Sequence, residues 1–229
     1  AAYAALIQGG TQTHVPPRAF ADSATRTIAN STLINTALNG VTLTTAFPDT
    51  DLGNQLAAVA MLIKVRQALG MSRQIYFVSV GGYDTHGTQI VDQNDNLTEL
   101  SQGLAAFYNA TIELGIADGV TTFTASDFGR SLAVNADGTD YGWGGHHFVL
   151  GGAVRGQRFY GAMPSLAQYD DSNPGSNPDD TGYGQIIPKQ AVDQYAATLA
   201  SWFGVDASSV NDIFPNLGRF PSSDLGFMN

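Results

Sequence analysis

The chain has no cysteine and only two lysines, Lys64 and Lys189, among ten basic residues. Without cysteine there are no disulfides, no thiolate metal sites, no iron–sulfur clusters and no cysteine nucleophile. Charged residues make up only 13% of 229 residues, and acids outnumber bases 20 to 10, for a net charge of −10. A phosphate backbone is held by clustered Lys and Arg, so nucleic acid is excluded as a partner, and so is an anionic membrane surface. The longest apolar stretch, residues 56–65, falls well short of the ~20 residues that a membrane span needs. There is no initiator methionine and no basic, signal-like opening, so the expectation is a processed chain or one piece of something longer. The Gly/Asn/Thr/Ser-rich, lysine-poor composition suits an exported protein, periplasmic or extracellular.

What is present reads as helix and strand in alternation. Residues 25–38 have only a loose helical spacing, weakened by Asn30 and Asn35. From Leu52 to Leu69, Leu56, Val59, Ala60 and Ile63 recur at three- and four-residue steps, with Asp51 as cap and Gly70 as stop. The run 74–80, Gln-Ile-Tyr-Phe-Val-Ser-Val, is nearly all strand-compatible and closes on Gly81-Gly82, which predicts a strand buried on both faces. A second helix is expected over 94–114, ended by Gly115, then further strands at 120–126 and 146–154. Residues 164–187 form a long irregular loop, and a helix is expected over 190–203 before Gly204. A capping-box spacing opens a short helix at Ser209. Strands apolar throughout and alternating with helices predict one α/β domain over 1–229, a mostly parallel sheet with helices on both faces. In such sheets chemistry collects beyond the carboxyl ends of the strands.

Three polar clusters sit at or near such ends. Asp84 and His86, two apart, point the same way in an extended segment. They suit zinc, calcium or magnesium, or a base with its orienting acid; they equally suit a turn in which Asp84 bonds backbone amides. Asp127 and Arg130 suit a metal ligand and an anion clamp, or an ordinary ion pair or helix cap. Asp140, His146 and His147 add further candidates, and at most one of the adjacent histidines can join a given centre. Arg130 and His147 are the candidate catalytic residues; Asp84, His86 and Asp127 are the candidate metal ligands. No Gly-x-Ser-x-Gly elbow, phosphate-binding loop or dinucleotide fingerprint is present. The Asp92-x-Asn94-x-Asn96 run starts like a calcium loop but has Leu97 where glycine is required. Asp170, Asp171, Asp179 and Asp180 read as a solvated loop, with weak calcium binding the alternative.

At Gly-Gly-Tyr-Asp-Thr-His86, Thr-Ala-Ser-Asp-Phe-Gly-Arg130 and Gly-Thr-Asp-Tyr-Gly-Trp-Gly-Gly-His-His-Phe-Val149, the sequence resembles an exported bacterial family catalogued as domain of unknown function 1501. The likeness runs over roughly residues 52 to 227. The family is grouped with the alkaline phosphatase and sulfatase superfamily. The resemblance therefore implies an alkaline phosphatase-like sheet, a twin-arginine export signal and a divalent-metal site that hydrolyses phosphate or sulfate esters. By that resemblance Asp84 and His86 match one ligand pair and Asp127 the aspartate of the second acidic motif. Two positions depart from the pattern: Tyr141 replaces a histidine common in relatives, and Phe128 replaces one found in the phosphatases. The opening Gly-Gly-Asn-Asp segment of the family is not found in these 229 residues, so the resemblance implies the C-terminal half of the domain. Two functions follow as expectations. One is a secreted metal-assisted hydrolase of phosphate or sulfate esters, or part of one, acting on an anionic small molecule or polysaccharide ester. The other is a non-catalytic binding or structural module that keeps the fold. Asp84, His86 and Asp127 are expected in one pocket. The chain is expected against a partner, its own N-terminal fragment or a second copy.

Overall fold

A computed structural model describes residues 15–167, 170, 172–173 and 175–229. Helix α1, Val15–Leu38, turns the loosely patterned N-terminal region into a long helix whose Thr25, Thr27 and Thr32 hydroxyls donate to carbonyls one turn back. It contributes little to the core, with Phe20, Ile28 and Leu33 exposed. Helix α2, Asp51–Lys64, is capped by Thr50, whose hydroxyl accepts from the Gly53 amide at 3.1 Å, one residue before the expected cap. Asp51 in its first turn and Lys64 in its last suit the helix dipole. Helix α3, Gln89–Glu113, begins five residues earlier than the spacing suggests and ends before Gly115, whose positive φ stops it.

Helices α2 and α3 pack Leu52, Leu56, Val59, Ala60 and Ile63 against Phe107 and Ala110, and Leu43, Phe47, Tyr76 and Val78 close over this core. At the end of α3 the Glu113 carboxylate accepts the amides of Thr44 and Thr45 at 2.9 and 2.8 Å and the Thr45 hydroxyl at 2.7 Å. These bonds, the Thr44 amide first, hold its pKa down at about 2.

The expected parallel sheet is not there. Among the described residues the strands form two small antiparallel pairs. Strand β1, Thr121–Phe123, pairs with β4, Val149–Gly151, in the register Thr122 opposite Leu150. Strands β2, Gly129–Asn135, and β3, Gly138–Gly142, form a hairpin through Ala136-Asp137, with a register irregularity between Arg130 and Val134. The segment 74–80 is extended but belongs to no sheet. Its alternation explains why: Tyr76 and Val78 face the α2–α3 core, while Ile75 and Phe77 are 79% and 91% exposed. An apolar run is a strand only if another backbone pairs with it. Here the Gln55 side chain stands in, donating to Ser79 O at 2.9 Å and accepting Ser79 N at 3.0 Å.

Toward the C-terminus, α4, Val192–Phe203, stops at Gly204 as expected. Helix α5, Ala207–Ile213, is capped by Asp206, not Ser209. Ala197, Val210 and Leu217 form a second, smaller core. Within 164–187 the fully buried Asn177 donates to Ser165 O and Ala167 O, and Asp180 bridges to Ile186. Asp171 lies outside the described residues. No helix among the described residues is long and apolar enough to cross a membrane.

Candidate functional site

The β2–β3 hairpin and the loop before α3 bring one polar cluster together. Their backbones meet at Gly138: a Cβ there would fall 2.3 Å from the carbonyl carbon of His86, so only glycine lets the loop lie this close. Thr139 N then donates to Thr85 O. This contact sets His86 between two carboxylates. Its Nε2 lies 2.8 Å from Asp84 Oδ1 and its Nδ1 lies 3.1 Å from Asp140 Oδ1. The Tyr141 ring stands edge-on to the imidazole at 5.1 Å, and its hydroxyl donates to Asp84 Oδ2 at 3.0 Å.

Arg130 lies directly opposite Tyr141 across the hairpin. Its guanidinium stacks near Tyr141 and Phe128, with Cζ 5.6 and 5.8 Å from their ring centres. Its donors go to Asp84 Oδ1 at 3.1 Å, Thr139 Oγ1 at 3.0 Å, Thr85 O at 2.8 Å and Thr139 O. The fork that an anion would need is therefore turned onto protein acceptors, and the side chain is only 13% exposed. Partial desolvation pushes the Asp84 carboxyl up. The hydrogen bonds from Tyr141 and Arg130, with the charges of His86 and Arg130, outweigh it and hold the group below the usual carboxylate range. The same hydrogen bond to Asp84 raises the Tyr141 phenol.

Of the residues singled out in the sequence, Asp84, His86, Arg130 and Asp140 meet here. Asp127 is exposed and makes no hydrogen bond or ion pair to them. His147 belongs to a different cluster: its Nδ1 lies 3.3 Å from the Thr124 hydroxyl, and its ring stacks on Tyr195 of α4 at 5.8 Å. Desolvation, then the charge of His146, lowers the His147 pKa. Tyr195 donates to Thr124 O, and burial raises its phenol well above the ordinary value.

The donor set does not fit a metal centre. A ligating histidine offers a ring-nitrogen lone pair, and both His86 nitrogens face carboxylates within the cluster. No group of three or more His, Asp or Glu among the described residues is disposed to hold an ion. The sequence reading missed Tyr141 as a hydrogen-bond donor, Thr85 and Thr139 as acceptors for Arg130, and Asn135, which donates to Asp140 at 2.7 Å. The dipeptide Asp137-Gly138 is a common hairpin-turn pair and signals a turn here, but the loop is Ala136-Asp137 with Gly138 paired to Asn135, so the dipeptide does not give the register that sets Arg130 against Tyr141.

Fold and site together describe a chain of helices and two small antiparallel sheets with a polar cluster clamped by a β-hairpin. The chain matches the family described as protein of unknown function (DUF1501) over residues 13–200, and it belongs to that family. The match starts well upstream of the 52 suggested by the motifs and stops short of 227. No curated protein and no solved structure matches the chain.

Proposed function

We propose that this chain is a non-catalytic binding or structural module of an exported protein. The observation that carries this reading is the closure of the Asp84–His86–Arg130 cluster on itself: the groups that would hold an anion or a metal hold each other. The open form of the surface agrees. The cavity beside Val80 and Gly81, about 360 Å³, is a solvent-open depression lined by Asp51, Gln55 and Glu99, with no Lys, Arg or His in its lining. Partners are the N-terminal fragment of the same precursor or a second copy. The support is the 74–80 segment, which exposes Phe77 and, among the described residues, makes no backbone–backbone hydrogen bond. Export is supported by composition alone: few lysines and a Gly/Asn/Thr/Ser-rich chain.

The test is direct. Purified protein is assayed with p-nitrophenyl phosphate and p-nitrophenyl sulfate in the presence of zinc, magnesium or calcium, and its metal content is measured. We expect no turnover above the metal-only blank and no stoichiometric metal. Turnover that is lost in Asp84→Asn overturns the proposal.

A second reading is favoured by one observation: two carboxylates and an imidazole from segments 54 residues apart lie within hydrogen-bonding distance, with the His86 side chain 42% exposed. It is the metal-assisted hydrolysis of phosphate or sulfate esters that the resemblance to the alkaline phosphatase and sulfatase superfamily implies. It requires His86 to leave at least one carboxylate, and further ligands beyond those gathered here.

A further inference from the structure

Beside Asp140 a cavity of about 270 Å³ opens between β2, β3 and the turn 181–185, lined by Ser131, Ala133, Val134, Asp140, Tyr183 and Gln185. The turn is docked on β2 at its register irregularity, where two successive amides turn to it: Leu132 N to Gly184 O at 2.9 Å and Ala133 N to Tyr183 O. Tyr183 is the unusual residue. It sits at φ 57, in the left-handed region that costs a bulky residue conformational energy, although glycines stand on both sides of it. That backbone holds an aromatic ring 87% exposed, with no hydrogen bond or ring contact among the described residues. The turn geometry does not require a tyrosine, so the ring itself is the feature to be explained.

Most polar atoms left free around the cavity are acceptors; the donors that remain are the Tyr183 hydroxyl and one amide hydrogen of Gln185. Asp140 uses Oδ1 for both His86 and Asn135, which leaves Oδ2 without a partner. Gln185 spends its other amide hydrogen on Tyr141 O at 3.2 Å, leaving Oε1. Ser131 donates its hydroxyl proton to Ala133 O, leaving lone pairs. Behind Asp140, Asn135 keeps a buried Oδ1 with no hydrogen bond. Ala133 and Val134 supply apolar floor. A carboxylate, an amide oxygen and a hydroxyl oxygen beside an exposed aromatic face select a group that donates several hydrogen bonds and carries positive charge. The chain's net charge of −10 points the same way and repels anions.

We propose that this cavity binds an organic cation, an ammonium or guanidinium group on a short aliphatic stem, with Asp140 as counter-ion and Tyr183 against the cation or its stem. It gives a ligand class to the reading of the chain as a binding module and rests on that reading; titration reads binding rather than turnover, so it is decided separately from the ester assay.

The experiment titrates the full chain at physiological salt with Nα-acetyl-lysine methylamide and Nα-acetyl-arginine methylamide, following amide chemical shifts. Nε-acetylated lysine, which has the same stem and no charge, and a methyl hexoside serve as comparators. Expected is saturable binding of at least one cation with shifts centred on residues 131–134, 140 and 183–185, and at least about tenfold weaker binding of the acetylated lysine. Asp140→Asn should weaken the cation by about tenfold or more. Tyr183→Leu should weaken it by about three- to fivefold, while Tyr183→Phe, which keeps the ring, leaves it unchanged. Asp212→Asn, on the exposed face of α5, controls for loss of general acidity and should change nothing. No saturable cation binding into the tens of millimolar overturns the proposal, as does equal binding of the acetylated lysine or the hexoside. A loss in Asp212→Asn matching that in Asp140→Asn would reduce the effect to diffuse charge and overturn it too.

Discussion

The α2–α3 pair and the β2–β3 hairpin are held together by opposite means. In the helical pair the contact is apolar: Leu56, Ala60 and Ile63 of α2 are buried with Phe107 and Ala110 of α3, and the buried Thr111 hydroxyl donates within its own helix to Tyr108 O. The hairpin side buries almost no large apolar side chain. Leu132 and Val134 are exposed, and Arg130 joins the strands to the preceding loop through its hydrogen bonds. Hydrophobic burial is roughly proportional to area and indifferent to direction, so the helical pair tolerates small shifts. A guanidinium fork works only in one geometry, so the hairpin side is specific and brittle.

The sharpest way to break the helical side is Phe107→Ala. Phe107 is 4% exposed at the centre of the pair, and its removal should cost about 3–5 kcal/mol in urea unfolding. The Asp84–His86 contact, seen as His86 ring shifts by NMR, should survive in the folded fraction. If Phe107→Ala erased those shifts while the protein stayed folded, the two regions would not be separable.

Arg130→Ala is the corresponding cut on the hairpin side. It removes hydrogen bonds to Asp84, Thr85 and Thr139 together, and a loss of about 2–3 kcal/mol is expected. Arg130→Lys keeps the charge without the fork and should recover less than half of that. Full recovery by lysine would show that charge, not geometry, holds the hairpin.

The same contrast explains what could be read in the sequence. Helices α2 and α4 were legible because apolar residues at three- and four-residue steps, bounded by capping residues, describe a helix without reference to anything else. Strand pairing is not local. The 74–80 run has the composition of a central strand, yet Phe77 is 91% exposed and no strand among the described residues lies beside it. That misreading carried the whole expectation of a parallel sheet. At the site, Asp84 and His86 were legible as a pair from their spacing. The partners of Arg130 were not, because Thr85 accepts only through a backbone carbonyl, which every residue has, and Thr139 through its carbonyl beside its hydroxyl. The second histidine cluster depends on Tyr195, 48 residues beyond His147 in sequence, and no local pattern links them.

The smallest expected effect lies at the margin of the helical pair and is read through pH. Glu113 carries a pKa of about 2 in the folded chain against 4.5 as a free side chain, because the Thr44 and Thr45 amides and hydroxyl donate to it. A depressed folded pKa means that the unfolded chain takes up the proton first as pH falls. The stabilisation from this carboxylate is therefore complete above about 4.5 and is lost progressively down to about 2. Asp206 has the same sign, held at about 2 by the Ser208 hydroxyl and the Ser209 amide and hydroxyl, so acid sensitivity persists without Glu113. Glu113→Gln should lower the thermal midpoint slightly at pH 6 and should fall less than the parent between pH 5 and pH 2.5, the two curves converging at the acid end. Parallel curves across that range would show that the Glu113 contacts with residues 44–45 contribute nothing to stability.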